Sequence, residues 1–226
     1  MPQRRGLTRA EILAAALDLA DDDGLTAVSM RSVAQRLGVT PMALYRHVGD
    51  KEALLDGLVE RLLADAEADT GTDTGTDTDT GTDTGTEARS PGDRRDQGDR
   101  GATGDAEGAP PWLAVLRRRA AALRATARRH PEAFGLVLAR RAGTPAALQA
   151  REQVLGALHA AGVPADDVPR LERLLSTFVI GFAASEASGR FSDRARADAD
   201  FAYAEALLRQ AVTAAAQSRW LGGGAP

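Results

Sequence analysis

Between Gly24 and Asp50 the chain is punctuated so closely that only short helices fit into it. Ser29 is followed by eight residues and then Gly38, Thr40 is followed by an eight-residue run from Pro41 that stops at Gly49, and Asp50 opens the next segment. Ser, Thr and Asp cap helix N-termini by accepting orphan backbone N–H groups, proline fits the first helical position, and glycine takes the left-handed turn that ends a helix. This punctuation predicts helices over 30–37 and 41–48 joined by a tight turn at Gly38, with a fourth helix from Asp50 to about Ala66. Ahead of them, Leu7-Thr8-x-x-Glu11-Ile12 has the spacing of a capping box flanked by a hydrophobic staple, so a first helix starts there and stops at Gly24.

The helix over 41–48 carries large side chains with few partners inside so small a unit. At about 100° per residue, Leu44 and Val48 share the inward face. Arg46 points almost directly away, flanked by Met42 and Ala43, while Tyr45 and His47 lie at the two edges. The preceding helix turns Val33, Ala34 and Leu37 inward, and the small Ala34 permits a close crossing. Helix, glycine turn, helix at this spacing is a helix-turn-helix, whose outward second helix suits a DNA major groove. There Arg46 can donate a fork to guanine O6 and N7. Tyr45 and His47 would lie beside phosphates. Lys51, the only lysine in the chain, and Arg31 occupy the first turns of helices whose amides favour an anion. Arg4 and Arg5 form a candidate basic arm.

Composition narrows the alternatives. The chain has no cysteine, which excludes a disulfide framework, a thiolate metal site and a cysteine nucleophile. Two arginines near the N-terminus lack an apolar stretch behind them, and no run reaches the length of a membrane span, so a cytoplasmic protein is expected. The net charge of −4 is unevenly spread: −2 over residues 1–65, −8 over 66–110 and +6 over 111–226. The middle segment includes "TGTDTGTDTDTGTDTGT" and almost no large apolar residue, so it is expected to be a disordered acidic linker. It lacks the closing Glu of an EF-hand loop. A DNA-acting enzyme such as a recombinase would need clustered acids for metal or an activated nucleophile, and the acids outside the linker do not gather at helical spacing. No metal, no cofactor and no enzyme activity is assigned.

Beyond the linker, prolines at starts and glycines at ends mark five more helices, roughly 111–129, 131–141, 144–161, 166–188 and 195–219. No alternating strand pattern interrupts them, so the fold class is all-α: an N-terminal helix-turn-helix domain over 1–65 and a C-terminal helical bundle over 111–226. Apolar residues between Trp112 and Phe182 supply a candidate effector pocket: Trp112, Leu116, Leu123, Phe134, Leu138, Leu155 and Phe178. Their character favours a hydrophobic effector. The helix near residue 175 bears an apolar stripe wider than one packing interface requires. With the last helix it forms a candidate dimer interface, represented by Leu174, Phe178, Gly181, Ser185, Leu208 and Val212. His130 and His159 are read as ordinary helix residues.

The run "LTRAEILAAALDLADDDGLTAVSMRSVAQRLGVTPMALYRHVGDKEALLDGL" resembles the DNA-binding domain of the TetR family of bacterial transcriptional regulators, with "ALYRHVGDKEALL" its most specific part. The resemblance implies a homodimeric repressor, an operator with two half-sites and a small-molecule inducer bound among the C-terminal helices. Carried over by position, it implies that Thr40, Pro41, Met42, Ala43, Tyr45 and Arg46 face the groove and that Tyr45, His47 and Lys51 contact phosphate. Arg46 stands where tetracycline repressors carry a bulky aromatic, so no operator sequence follows. An activator, or a DNA-binding architectural protein with no effector, is the alternative. Because a long coil transmits no push, a signal between ligand and DNA is expected to cross packed surface, from the helix at 131–141 onto the first and fourth helices.

Overall fold

The computed structural model of the chain describes residues 6–71, 109–140, 143–191 and 193–217. Among the described residues there are nine α-helices, a 3-10 turn over Leu25–Ala27 and no strand. The first four helices, α1 (Arg9–Asp23), α2 (Met30–Leu37), α3 (Pro41–Val48) and α4 (Lys51–Gly71), build an N-terminal helix-turn-helix head. The other five, α5 (Pro111–Arg129), α6 (Pro131–Ala139), α7 (Pro145–Ala160), α8 (Val168–Ala187) and α9 (Arg194–Ala216), form a C-terminal bundle.

The helix starts follow from local chemistry. The Thr8 hydroxyl accepts from Glu11 N at 3.2 Å while Thr8 N donates to the Glu11 carboxylate at 2.9 Å, which closes the expected capping box. Ser29 and Ser32 form a second reciprocal box at the start of α2. Asp50 accepts from Ala53 N at 2.8 Å. Thr40 departs from the pattern: its side chain makes no capping bond, and Pro41 starts α3 without needing one. Gly38 adopts the left-handed conformation, φ 64° and ψ 31°, so the backbone reverses between α2 and α3 where a side chain would be strained. A second glycine acts through space. A Cβ on Gly57 would stand 2.6 Å from Leu13 Cδ2, so its absence lets α4 cross α1 closely.

The apolar core has two centres. One runs from Ile12, Leu44 and Leu58 in the head into Phe134, Val137 and Ala183 in the bundle, so head and bundle share a single hydrophobic cluster. The other gathers Leu158, Val168, Leu171 and Val212 at the far end. The short α6 joins the two parts, packing on α1, α4 and α8, as expected of the helix at 131–141. At its borders His130 Nδ1 meets the Asp21 carboxylate at 2.7 Å, and Arg140 donates to Asp56 at 2.5 Å and to the Glu52 carboxylate at 2.9 Å.

Helix α8 starts at Val168, two residues later than expected, and two further boundaries differ with consequences for how the head meets the bundle. Helix α4 does not end near Ala66 but continues to Gly71, because Glu67 and Asp69 gain partners across the molecule: Arg119 and Arg129 donate to them. Helix α6 ends at Ala139, and Arg140 is extended so that its side chain reaches α4. Residues 72–108 of the acidic segment, and Arg4 and Arg5, lie outside the described residues.

Candidate DNA-reading face and ligand cavity

Helix α3 is held by Leu44 and Val48, both buried against the head core. Its opposite side is open: Met42 is 68% exposed and Tyr45 is 47% exposed. Side by side on one short helix face, these two large groups form a small exposed apolar ridge. Thr40, Pro41, Arg46 and His47 are exposed beside them, and Ala43 is half-buried. Lys51 at the start of α4 and Arg31 at the start of α2 are exposed on either side of α3.

Charge pairing separates the cations of the head into two sets. Arg9 pairs with Glu60 at 2.8 Å, Arg36 with Asp22, and Arg61 with Asp65 at 2.9 Å. The hydrogen bond that Arg36 donates to Asp22, with the charge of that carboxylate, raises the guanidinium further above its ordinary range. Among the described residues, Arg31, Arg46 and Lys51 belong to no ion pair, and these three flank or sit on α3. Carboxylates close by are occupied. Asp50 caps α4, while Glu52 and Asp56 are bridged by Arg140 from α6. The face therefore presents unpaired positive charge around an exposed apolar ridge, an arrangement that suits a groove bordered by phosphates. Arg140 was not legible as part of this site, because its partners lie more than 80 residues away in sequence.

Between the two core centres lies a cavity of about 300 Å³. Its floor comes from α4 through Leu63, Ala66 and Glu67, and its walls from α5, α7, α8 and α9 with Val137 of α6. Of the residues expected here, Trp112, Leu116, Leu123 and Phe178 line it. Three do not. Phe134 is fully buried in the core shared by head and bundle, Leu138 is 59% exposed on the outer side of α6, and Leu155 packs against the far core centre. The lining is mostly aliphatic, including Leu113, Val154, Leu175 and Ile180.

The polar groups in the wall bond to one another. Arg119 donates to Glu67 and to Gln153 Oε1, the latter at 2.9 Å, and Gln153 Nε2 donates back to Glu67 at 3.2 Å. Arg117 donates to Glu205, Arg151 lies 3.4 Å from Glu172, and Ser176 donates to Glu172 at 3.1 Å. Neither His130 nor His159 lines the cavity. The first is held by Asp21, and the second meets the Leu155 carbonyl at 2.8 Å.

The dimer candidates divide. Leu174 is 50% exposed on α8, and Tyr203 and Leu207 extend the exposed apolar surface onto α9. Gly181 is half-buried, with nothing within 4 Å of a Cβ built on it, and Ser185 Oγ donates to its carbonyl at 2.9 Å. Val212, by contrast, is 1% exposed in the far core, while Leu208 and Phe178 face the cavity. Phe178 also stacks on Phe201 with ring centroids 5.8 Å apart. Val212 thus serves the monomer interior, while Phe178 and Leu208 are half-buried on the cavity side.

The profile described as "Bacterial regulatory proteins, tetR family" matches residues 12–58, and that described as "Tetracyclin repressor-like, C-terminal domain" matches residues 105–219. The chain is 27% identical over 210 residues to the HTH-type transcriptional repressor DrrR1 of Streptomyces coeruleorubidus, an alignment covering 92% of this chain. It is 30% identical over 189 residues to an HTH-type transcriptional regulator of Saccharopolyspora erythraea, covering 84% of this chain. It spans 65% of the length of each of these relatives. The crystal structure of Mycobacterium smegmatis BioQ superposes with a TM-score of 0.65 at 26% identity, covering 92% of this chain and 99% of that one. BioQ with its double-stranded DNA operator superposes at 0.62 and 27%, with the same coverage. Homologues and fold are those of transcriptional regulators and not of enzymes. Since the second profile alone spans more than half of the 226 residues, the chain belongs to the TetR family of bacterial regulatory proteins.

Proposed function

We propose that the chain is a cytoplasmic, homodimeric repressor that holds an operator of two half-sites through α3 and leaves it when a small, mainly apolar effector enters the cavity. The observation that carries the DNA reading is the set of unpaired cations, Arg31, Arg46 and Lys51, around the exposed Met42–Tyr45 ridge. BioQ, a relative of the same fold crystallised with its operator, supports it. In this reading Arg46, with Met42 and Ala43 beside it, faces base edges, and Thr40 and Pro41 enter the groove at the start of α3. Tyr45, His47, Lys51 and Arg31 hold phosphates and set the register. A twofold dimer places its two reading helices about 34–36 Å apart, or a modest multiple of a DNA turn.

The test is selection of bound sequences from random duplex DNA, followed by binding measurements on variants. Arg46→Ala is expected to relax discrimination at one or two operator positions by about 1–3 kcal/mol. Lys51→Ala should weaken all sequences alike and lower the salt slope by about one. Unchanged sequence preference in Arg46→Ala would remove α3 from the role of reader.

The dimer is expected to form through Leu174, Gly181, Ser185, Tyr203 and Leu207. Because none of the described residues crowds Gly181, Gly181→Glu should leave the monomer folded and place two like charges where the partners meet. Light scattering at micromolar concentration should report a dimer for the wild type and a monomer for the variant. A monomeric wild type ends the dimer reading.

A further inference from the structure

The cavity holds one arrangement that an apolar effector alone would not use, the ring formed by Glu67, Arg119 and Gln153. Resting on the reading of this cavity as the effector site, we propose that the ligand is an apolar molecule bearing one anionic oxygen group, a carboxylate or sulfonate. That group takes the place of Glu67 between Arg119 and Gln153.

The donors settle the sign of the ligand. Arginine only donates and a carboxylate only accepts, so the Gln153 amide must turn its oxygen to Arg119 and its NH₂ to Glu67. Two donors, one of them charged, therefore converge on the point where the Glu67 carboxylate sits. An anion arriving there satisfies both and leaves no buried donor unpaired, whereas a neutral apolar end would orphan them. A cation displacing Arg119 is disfavoured by what surrounds it. The cavity wall carries Arg117, Arg119, Arg151 and Arg209 against Glu67, Glu172 and Glu205, so cations already outnumber anions. Side-chain exposures of 14% for Arg119 and 13% for Glu67 keep this contest largely out of water, where charged hydrogen bonds discriminate most.

The three corners also differ in what holds them. Arg119 stands on α5, which is braced to α8 and α9 by Arg117, Arg124 and Arg128. Glu67 stands on the last turns of α4, where Asp69 also pairs with Arg129 of α5. Glu67 is the member that yields, because it lies just beyond Ala66, the last buried anchor of α4, and residues 67–70 include no buried side chain. Its helix begins at Lys51, sixteen residues or about 24 Å away, so release of Glu67 loosens the cavity end of the helix that carries the phosphate-binding ammonium.

Two fluorescent probes of nearly the same shape test this on the full chain: anilinonaphthalene sulfonate and its uncharged parent, anilinonaphthalene. Both brighten on leaving water. Arg119→Gln is expected to weaken the sulfonate roughly tenfold while leaving the parent within about twofold. Glu67→Gln, which removes the competing carboxylate but keeps a side chain of the same shape, is expected to strengthen the sulfonate severalfold and leave the parent unchanged. If both variants leave the two probes equally bound, the anionic group does not sit on Arg119 and the proposal falls while the cavity stands. If the wild type brightens neither probe, the cavity reading itself falls and takes the proposal with it.

Discussion

Replacing Phe134 by alanine should lower the melting temperature of the whole chain by roughly 10 °C, a loss of about 3–5 kcal/mol. Phe134 is the largest of the completely buried side chains among the described residues. It belongs to the cluster that unites Ile12, Leu44 and Leu58 of the head with Val137 and Ala183 of the bundle. Removing the ring leaves a hole that rigid helices on three sides can only partly close. Because the cluster is continuous, head and bundle should melt together, and operator affinity should fall at temperatures where the wild type is still folded. A melt in which only the bundle signal moves would show that the two parts are energetically separate.

Arg124→Ala should cost about 3 kcal/mol, at the lower end of what breaking a buried ion pair costs, because Arg128 remains. Arg124 is 8% exposed and holds Glu186 with two bonds of 2.6 and 2.7 Å, and Asp198 at 2.7 Å. Its guanidinium also lies 4.1 Å from the Phe201 ring centre and 5.3 Å from that of Phe182. Burial pushes the Glu186 carboxyl up, but the hydrogen bonds from Arg124 and Arg128 outweigh it and hold the group below its ordinary value. Asp198 is held low as well, first by Arg128. A depressed carboxylate contributes stability that is complete above its unfolded value of about 4.3 and fades as pH falls toward the folded one. The stability gap between the wild type and Glu186→Gln should therefore be constant near neutrality and shrink below about pH 4. A gap that does not change with pH would mean that Glu186 titrates as it does in the unfolded chain.

What the sequence made legible was whatever adjacent residues decide. The ends of α2 and α3 follow from Ser29, Gly38, Pro41 and Gly49, each acting within one turn. The inward Leu44 and Val48 and the outward Met42 and Tyr45 follow from helical spacing over a short, well-punctuated run. Features set by remote partners were not legible. Phe134 and Leu138, one helical turn apart, were both read as pocket lining, yet Phe134 is buried in the core and Leu138 is exposed on the outer side of α6. Glu67 was assigned to coil from the Thr, Gly and Asp that follow it, although Arg119 and Gln153 hold it in a helix from more than 50 residues away. The buried network of Arg124 and Arg128 has partners 58 to 74 residues distant and leaves no local mark. Val212 was placed on an outer surface because a stripe on α9 does not reveal which side folds inward.

The position of Lys51 makes the chain unusually simple to address chemically. It is exposed at the start of α4, it is the only lysine, and there is no cysteine at all. An amine-directed reagent therefore meets two targets, the α-amino group and a single side chain at the edge of α3. A fluorophore or spin label installed there without mutagenesis reports from the helix-turn-helix head, and the proposed DNA contact predicts that bound duplex shields that one ammonium from acylation. Conversely, acylation erases its charge and works as a point mutation made on the purified protein, while every arginine that ties the bundle together is left untouched.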